Sequence, residues 1–247
     1  MAIKTLLNYS PNFDSKKRKF KQIKFIIFHY TGMKTEKAAI GRLTNIKSKV
    51  SSHYLIKNNG EIMILVPELY TAWHAGKSKW KNLCSMNKYS IGIEITNPGH
   101  NFNYQKYSKA QLISLIKLSK FLIKKYKINP KNILGHSDIA PDRKKDPGEK
   151  FPWKFLSKKK IGYWHNLNKS ELIKSRNLKI TNNEKKIFFN NLSKIGYQKN
   201  YSTNLKLQII NFERLISKAF QRRFRPEIVN GKIDKECLII SCNLIKR

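Results

Sequence analysis

Acidic residues are scarce in this 247-residue chain: 15 Asp and Glu stand against 51 Lys and Arg, for a formal charge of +36. Such a field disfavours cationic partners and favours anionic ones, whether nucleic acid, an acidic membrane surface or an anionic cell-wall polymer. Lys, Asn and Ile are all abundant, so a genome-wide composition bias stands beside that reading. Cysteine is nearly lacking. Cys84, Cys237 and Cys242 are an odd number without metal-type spacing, which excludes a disulfide scaffold and a cysteine zinc knuckle. Long apolar runs are missing as well, and no stretch approaches the roughly 18 apolar residues of a membrane span. The first residues, Met1 to Leu7, carry neither the apolar run of a signal peptide nor an anchoring cysteine. These absences predict a soluble cytoplasmic chain, or a periplasmic or wall-associated one if it is exported by another route.

What is present suits a folded protein. Hydrophobic content of 40% and aromatic content of 11% exclude wholesale disorder. The length allows one sizeable domain and a small one. The least ordinary segment is Gly135-His136-Ser137-Asp138-Ile139-Ala140-Pro141-Asp142-Arg143-Lys144-Lys145-Asp146-Pro147-Gly148, which follows the apolar run Asn132-Ile133-Leu134. Two prolines stiffen it, and Asp146, preceding Pro147, is pushed toward extended backbone. Lys144 and Asp146, two apart, then share a face.

Along the chain, residues 1–22 read as a polar lead-in ending in the basic run Lys16-Lys17-Arg18-Lys19, solvated by expectation. Ile23 to His29 reads as a strand apolar on both faces, and such strands are central in sheets covered on both sides. Thr35 caps a predicted helix to about Ile46. His53–Lys57 and Glu61–Val66 read as a hairpin closed by Asn59-Gly60. Ser90 to Ile95 alternates as a strand with Glu94 opposite its isoleucines. Ser108 and Gln111 form a capping box for a helix to about Tyr126 with Leu112, Leu115, Ile116 and Leu122 as its stripe. The pattern predicts an α/β fold, a mixed central sheet flanked by helices. A small three-helix C-terminal domain follows, with helices near 183–195, 203–220 and 234–244. Its predicted core is Phe188, Leu192, Leu205, Ile209, Phe212, Ile216 and Phe220. The expected organisation is a lead-in over 1–22, a main domain over 23–165, a linker over 166–178 and the helical domain over 179–247.

His29 ends one buried strand and His136 another, and adjacent central strands would bring the two imidazoles together. Asp146 adds an oxygen. Two histidines and a carboxylate, with one position left for water, make the shell of a single catalytic Zn2+ rather than a closed structural site. Such an ion polarises a carbonyl and activates water. Glu94, a carboxylate on the polar face of an otherwise apolar strand, is the candidate general base. Lys144 is the candidate donor to the oxyanion of a tetrahedral intermediate. His100 and His165 fit no such pattern and read as surface residues.

Five blocks in order resemble the zinc-dependent N-acetylmuramoyl-L-alanine amidases, whose fold is shared with phage lysozyme-type amidases and animal peptidoglycan-recognition proteins. They are Phe28-His29-Tyr30-Thr31, Val50-Ser51-Ser52-His53-Tyr54-Leu55-Ile56, Ala72-Trp73-His74-Ala75-Gly76, Ser90-Ile91-Gly92-Ile93-Glu94 and the stretch from Gly135 to Gly148. The resemblance spans about residues 23 to 155. It implies zinc on His29, His136 and Asp146, Glu94 as base, Lys144 as transition-state stabiliser, and His53, Trp73 and His74 lining a substrate groove. It also implies hydrolysis of the amide between the lactyl group of N-acetylmuramic acid, or its anhydro form, and L-alanine in peptidoglycan or its muramyl-peptide fragments. The C-terminal segment resembles the three-helix peptidoglycan-binding domain often attached to these amidases, through Leu192 to Tyr197, Ala219 to Phe224 and Val229 to Asp234. A recognition module that binds peptidoglycan without cutting is the alternative, as for animal members that lose a ligand; here every ligand position is filled. No nucleic-acid partner is expected, because nothing resembles a nucleic-acid-binding motif.

Overall fold

The structure is a computed structural model that describes residues 4–198 and 206–247, with side chains given for all of these except 206–210. In chain order the strands are β1 (Thr5–Leu7), β2 (Phe13–Asp14), β3 (Phe25–Tyr30), β4 (Tyr54–Ile56), β5 (Ile62–Ile64), β6 (Thr71–Ala72), β7 (Lys79–Trp80), β8 (Leu83–Cys84), β9 (Ser90–Ile95) and β10 (Ile133–Gly135). The helices are α1 (Glu36–Thr44), α2 (Lys109–Tyr126), α3 (His136–Ile139), α4 (Trp153–Lys158), α5 (Lys169–Ser175), α6 (Asn182–Ile195), α7 (Lys206–Phe224) and α8 (Lys235–Lys246).

Six strands form a mixed sheet in the order β1-β5-β4-β9-β3-β10. Only β4 and β5 run antiparallel in it, as a hairpin turning through Gly60 at φ +85°. The doubly apolar strands take the centre, as their sequence demands: Phe25 to Phe28 and all of Ser90 to Ile95 are buried. The α2 helix begins with the expected box, the Gln111 N–H donating to Ser108 Oγ and the Ser108 N–H to Gln111 Oε1. Its Leu115, Leu118 and Leu122 are buried against the sheet's apolar cluster. Among the described residues no helix is long and apolar enough to cross a membrane.

The lead-in and linker regions are more engaged than a polar sequence suggests. Thr5–Leu7 adds an edge strand to the sheet, parallel to β5. Arg18, expected in solvent, is buried. Its guanidinium fork donates to the carbonyls of Glu68, Asn87 and Ser90 at 2.7–3.1 Å. Within 166–178 lies α5, capped by Asn168, with Leu172 buried. The C-terminal helices α6 to α8 bury Phe188, Leu192, Ile216 and Phe220 in the same hydrophobic cluster that holds Phe28 and Trp153 of the sheet region. Leu205 and the side chain of Ile209 lie outside the described residues.

Candidate active site

The parallel pairing of β10 with β3 sets Gly135 beside Phe28, so the next residues, His136 just past β10 and His29 within β3, stand side by side. Both point inward at Asp146. His29 Nδ1 lies 2.9 Å from His136 Nδ1 and 3.0 Å from Asp146 Oδ2, and His136 Nδ1 lies 3.1 Å from the same oxygen. The Ser137 N–H donates to the Asp146 carbonyl at 2.8 Å, tying the two ends of the loop together. All three side chains are buried.

Asp146 Oδ2 could accept from both imidazoles only if each Nδ1 carried a proton. The outer partners of the two rings place those protons on Nε2 instead, so three electron pairs face one point. Tetrahedral zinc with bonds of about 2.0–2.1 Å needs ligand atoms about 3.3–3.4 Å apart. The triangle here is within a few tenths of an ångström of that, and the donor set is the N,N,O set that zinc takes. The residues fit the ion.

The outer nitrogens fix the tautomers. His136 Nε2 lies 3.1 Å from the Ala75 carbonyl, so it carries the proton and leaves the Nδ1 lone pair facing inward. His29 Nε2 lies 3.0 Å from His74 Nδ1, and His74 Nε2 lies 3.2 Å from Ser90 Oγ. The Ser90 hydroxyl donates to the Met86 carbonyl at 2.7 Å. Ser90 Oγ therefore accepts from His74, and His74 Nδ1 accepts from His29. Both imidazoles thus turn an unprotonated Nδ1 toward Asp146, the tautomer in which a ring can bind a metal.

Burial, together with the neighbouring His136, depresses the His29 pKa to about 4, and burial likewise holds His74 well below its ordinary value. Burial alone would raise the Asp146 carboxyl, but the adjacent His136 and His29 imidazoles hold it well below the usual carboxylate range. Glu94 is pushed up to about 8 by burial and the negative charge of Asp146, against the opposing pull of Lys144 and Arg42. Glu94 Oε2 is buried without a hydrogen-bond partner.

A cleft of about 430 Å³ opens on this centre, lined by Tyr30, Arg42, His74, Glu94, Lys144 and Asp146 among others. Lys144 and Glu94 thus share one cavity with His136 and Asp146. A larger apolar groove of about 1070 Å³, lined by Phe20, Tyr54, Phe121 and Tyr126 among others, contains none of them. Of the three expected groove residues only His74 reaches the cleft. His53 is buried, accepting from the Gly92 N–H at 3.0 Å and facing the Tyr70 carbonyl at 3.0 Å. Trp73 turns away to donate from Nε1 to Asp14 at 2.7 Å. His100 bridges the Tyr30 hydroxyl and Glu149 at 2.9 and 3.0 Å, and His165, expected at the surface, is buried beside Trp164. The supports at Ala75, Met86 and Ser90 escaped sequence reasoning, because two of them act through backbone carbonyls that no side-chain pattern marks.

Residues 19–149 match the family model described as N-acetylmuramoyl-L-alanine amidase. The N-acetylmuramoyl-L-alanine amidase AmiD of Escherichia coli is 34% identical over 92% of this chain and 84% of its own length. Its structure in complex with the substrate anhydro-N-acetylmuramic acid-L-Ala-D-gamma-Glu-L-Lys superposes with a TM-score of 0.80 at 32% identity, covering 94% of this chain and 91% of that one. The structure of AmpDh3 from Pseudomonas aeruginosa gives a TM-score of 0.77 at 30% identity, over 96% of both chains.

Proposed function

The chain belongs to the N-acetylmuramoyl-L-alanine amidase family, and from that premise we propose the substrate, the metal and the residue roles. The substrate is a muramyl peptide, and the bond cut joins N-acetylmuramic acid or its anhydro form to L-alanine. The carrying observation is the buried triangle of His29 Nδ1, His136 Nδ1 and Asp146 Oδ2 with edges of 2.9–3.1 Å. These three residues would hold one zinc ion, which supplies Lewis acidity to the scissile carbonyl and lowers the pKa of water.

The remaining chemistry falls to the chain. Glu94 takes a proton from the attacking water as the C–O bond forms, and returns it to the alanine nitrogen as the C–N bond breaks. The carboxylate is the working form; Lys144 and Arg42, which oppose the rise in its pKa, favour it. Lys144 donates to the oxygen that gains charge in the tetrahedral transition state. His74 and the Ala75 carbonyl keep the ligand imidazoles oriented. Arg42, Arg143, Lys144 and Lys145 make the cleft cationic, which suits a stem peptide bearing carboxylates. In this reading residues 23–165 are catalytic and the helices within 179–247 bind the polymer.

The test is release of free stem peptide from a purified anhydro-muramyl peptide by the zinc-loaded chain, after chelation, and by Glu94→Ala and His136→Ala. Release that stops in all three perturbed cases supports the assignment. Zinc-loaded protein that binds the peptide and releases nothing would make the chain a recognition module and overturn the catalytic roles.

A further inference from the structure

Asp138 sits two residues beyond His136, is 1% exposed and does not line the cleft. It nonetheless receives three donors. Its Oδ2 accepts from the Gly135 N–H at 2.8 Å and from Arg223 Nη1, and its Oδ1 accepts from the Tyr197 hydroxyl at 2.6 Å. The first of these is local. The other two come from the C-terminal helical region, Arg223 from α7 and Tyr197 from the turn after α6. Arg223 is also 2% exposed, and its Nη2 donates to the Ile133 carbonyl at 2.9 Å. One planar guanidinium therefore spans the start of β10 and the turn that follows it, the two sides of the segment that delivers His136.

We infer that Arg223 and Tyr197 are positioning residues, which act through Asp138 to hold the turn presenting His136 to the metal, so that the C-terminal helices complete the metal site. The inference rests on the metal reading above. The turn needs outside support because α3 is a single four-residue turn, too short to hold its own shape in isolation. The Ser137 N–H bond to the Asp146 carbonyl carries any shift of this turn to the third ligand.

The docking behind the clamp leaves little play. The Arg223 guanidinium lies 4.3 Å from the centre of the Trp153 ring. Trp80 meets the Tyr197 ring at 5.0 Å and packs so tightly on Gly196 that a Cβ there would sit 2.3 Å from the indole. The Lys81 N–H donates to the Gly196 carbonyl at 2.8 Å, pinning Tyr197 next to the sheet region. Buried charges that lose a partner are strongly disfavoured, so without Arg223 the Asp138 carboxylate would have to turn toward water, taking the His136 turn with it.

The test is zinc affinity of the full chain, read by competition with a chromophoric chelator and accompanied by a thermal melt. Arg223→Met is expected to weaken zinc binding roughly 10–100-fold, the range seen when a ligand's outer support is removed. Tyr197→Phe, which deletes one hydroxyl, is expected to weaken it less but measurably. Arg176→Met is the control, since Arg176 makes a two-point ion pair with Glu236 at 2.7 and 2.8 Å inside the helical region and touches nothing in the metal loop. Its zinc affinity should match the unsubstituted chain. Equal affinity in folded Arg223→Met and Tyr197→Phe, or an equal loss in Arg176→Met, overturns the inference. If Arg223→Met does not fold, Tyr197→Phe decides. A parent chain that takes up no zinc overturns the metal reading itself and this inference with it.

Discussion

Glu94 stands in register with His29 across the β3–β9 ladder. A single pair of parallel strands therefore sets a proposed metal ligand and the proposed base side by side. Their spacing is set by backbone hydrogen bonds rather than by flexible loops, which is the arrangement a preorganised site needs.

Glu94→Gln keeps the side chain's shape and removes its capacity to accept a proton. Turnover is expected to fall about 10²–10⁴-fold, the ordinary worth of a general base, with one zinc still bound per chain. Because Glu94 Oε2 is buried without a partner, the variant should melt no lower than the parent. Turnover, metal content and melting temperature check this together. Full activity in a zinc-replete variant would remove Glu94 from the mechanism.

Removing the metal should abolish peptide release and also lower stability, since an ion that binds only the folded chain adds about 4.1 kcal/mol at a thousandfold excess over its dissociation constant. The expected result is a lower melting temperature after chelation, restored by zinc. A melt indifferent to both would mean that the triangle of His29, His136 and Asp146 holds no ion.

The triangle was legible because each member carries a local mark. His29 and His136 close strands whose apolar residues announce burial, and Asp146 is fixed by the proline after it. The fold followed from the same marks: doubly apolar β3 and β9 at the centre, Asn59-Gly60 at the hairpin, Ser108 and Gln111 at the start of α2. What escaped has no local mark. His74 supports His29 across 45 positions of sequence, and nothing near either residue encodes that meeting. Arg18 sits in a run of four basic residues and looks solvated, yet the carbonyls it bonds belong to segments 50 to 72 positions away. His53 and Trp73 belong to the same sequence blocks as cleft residues, but the Gly92 N–H and Tyr70 carbonyl hold His53, and the bond to Asp14 holds Trp73, away from it.

The support behind His29 depends on a glycine. A Cβ on Gly92 would lie 2.4–2.6 Å from the His74 ring, so Gly92→Ala must displace that ring or the strand. Overpacking of this kind costs about 1–3 kcal/mol, and loss of the His74 acceptor frees His29 to rotate. We expect Gly92→Ala to melt lower than the parent and to bind zinc more weakly, as should His74→Ala. Chelator competition and a thermal melt give both numbers. Unchanged zinc affinity in the two variants would show that His74 does not orient its neighbour.

His165 gives a pH dependence remote from the metal. Burial and the nearby positive charge of Lys154 lower its pKa from 6.5 to about 4 in the folded chain, and its Nδ1 lacks a hydrogen-bond partner. Between those two values the unfolded chain binds a proton that the folded one refuses, so stability is full above about pH 6.5 and falls as pH drops toward 4. Allowing for partial screening by solvent, the contribution is on the order of 1 kcal/mol. His165→Phe keeps an aromatic ring beside Trp164 and removes the titration. Urea midpoints at neutral pH and near the lower limit should therefore shift less in His165→Phe than in the parent. Parallel shifts in the two proteins would mean that His165 is protonated in the folded chain as readily as in the unfolded one.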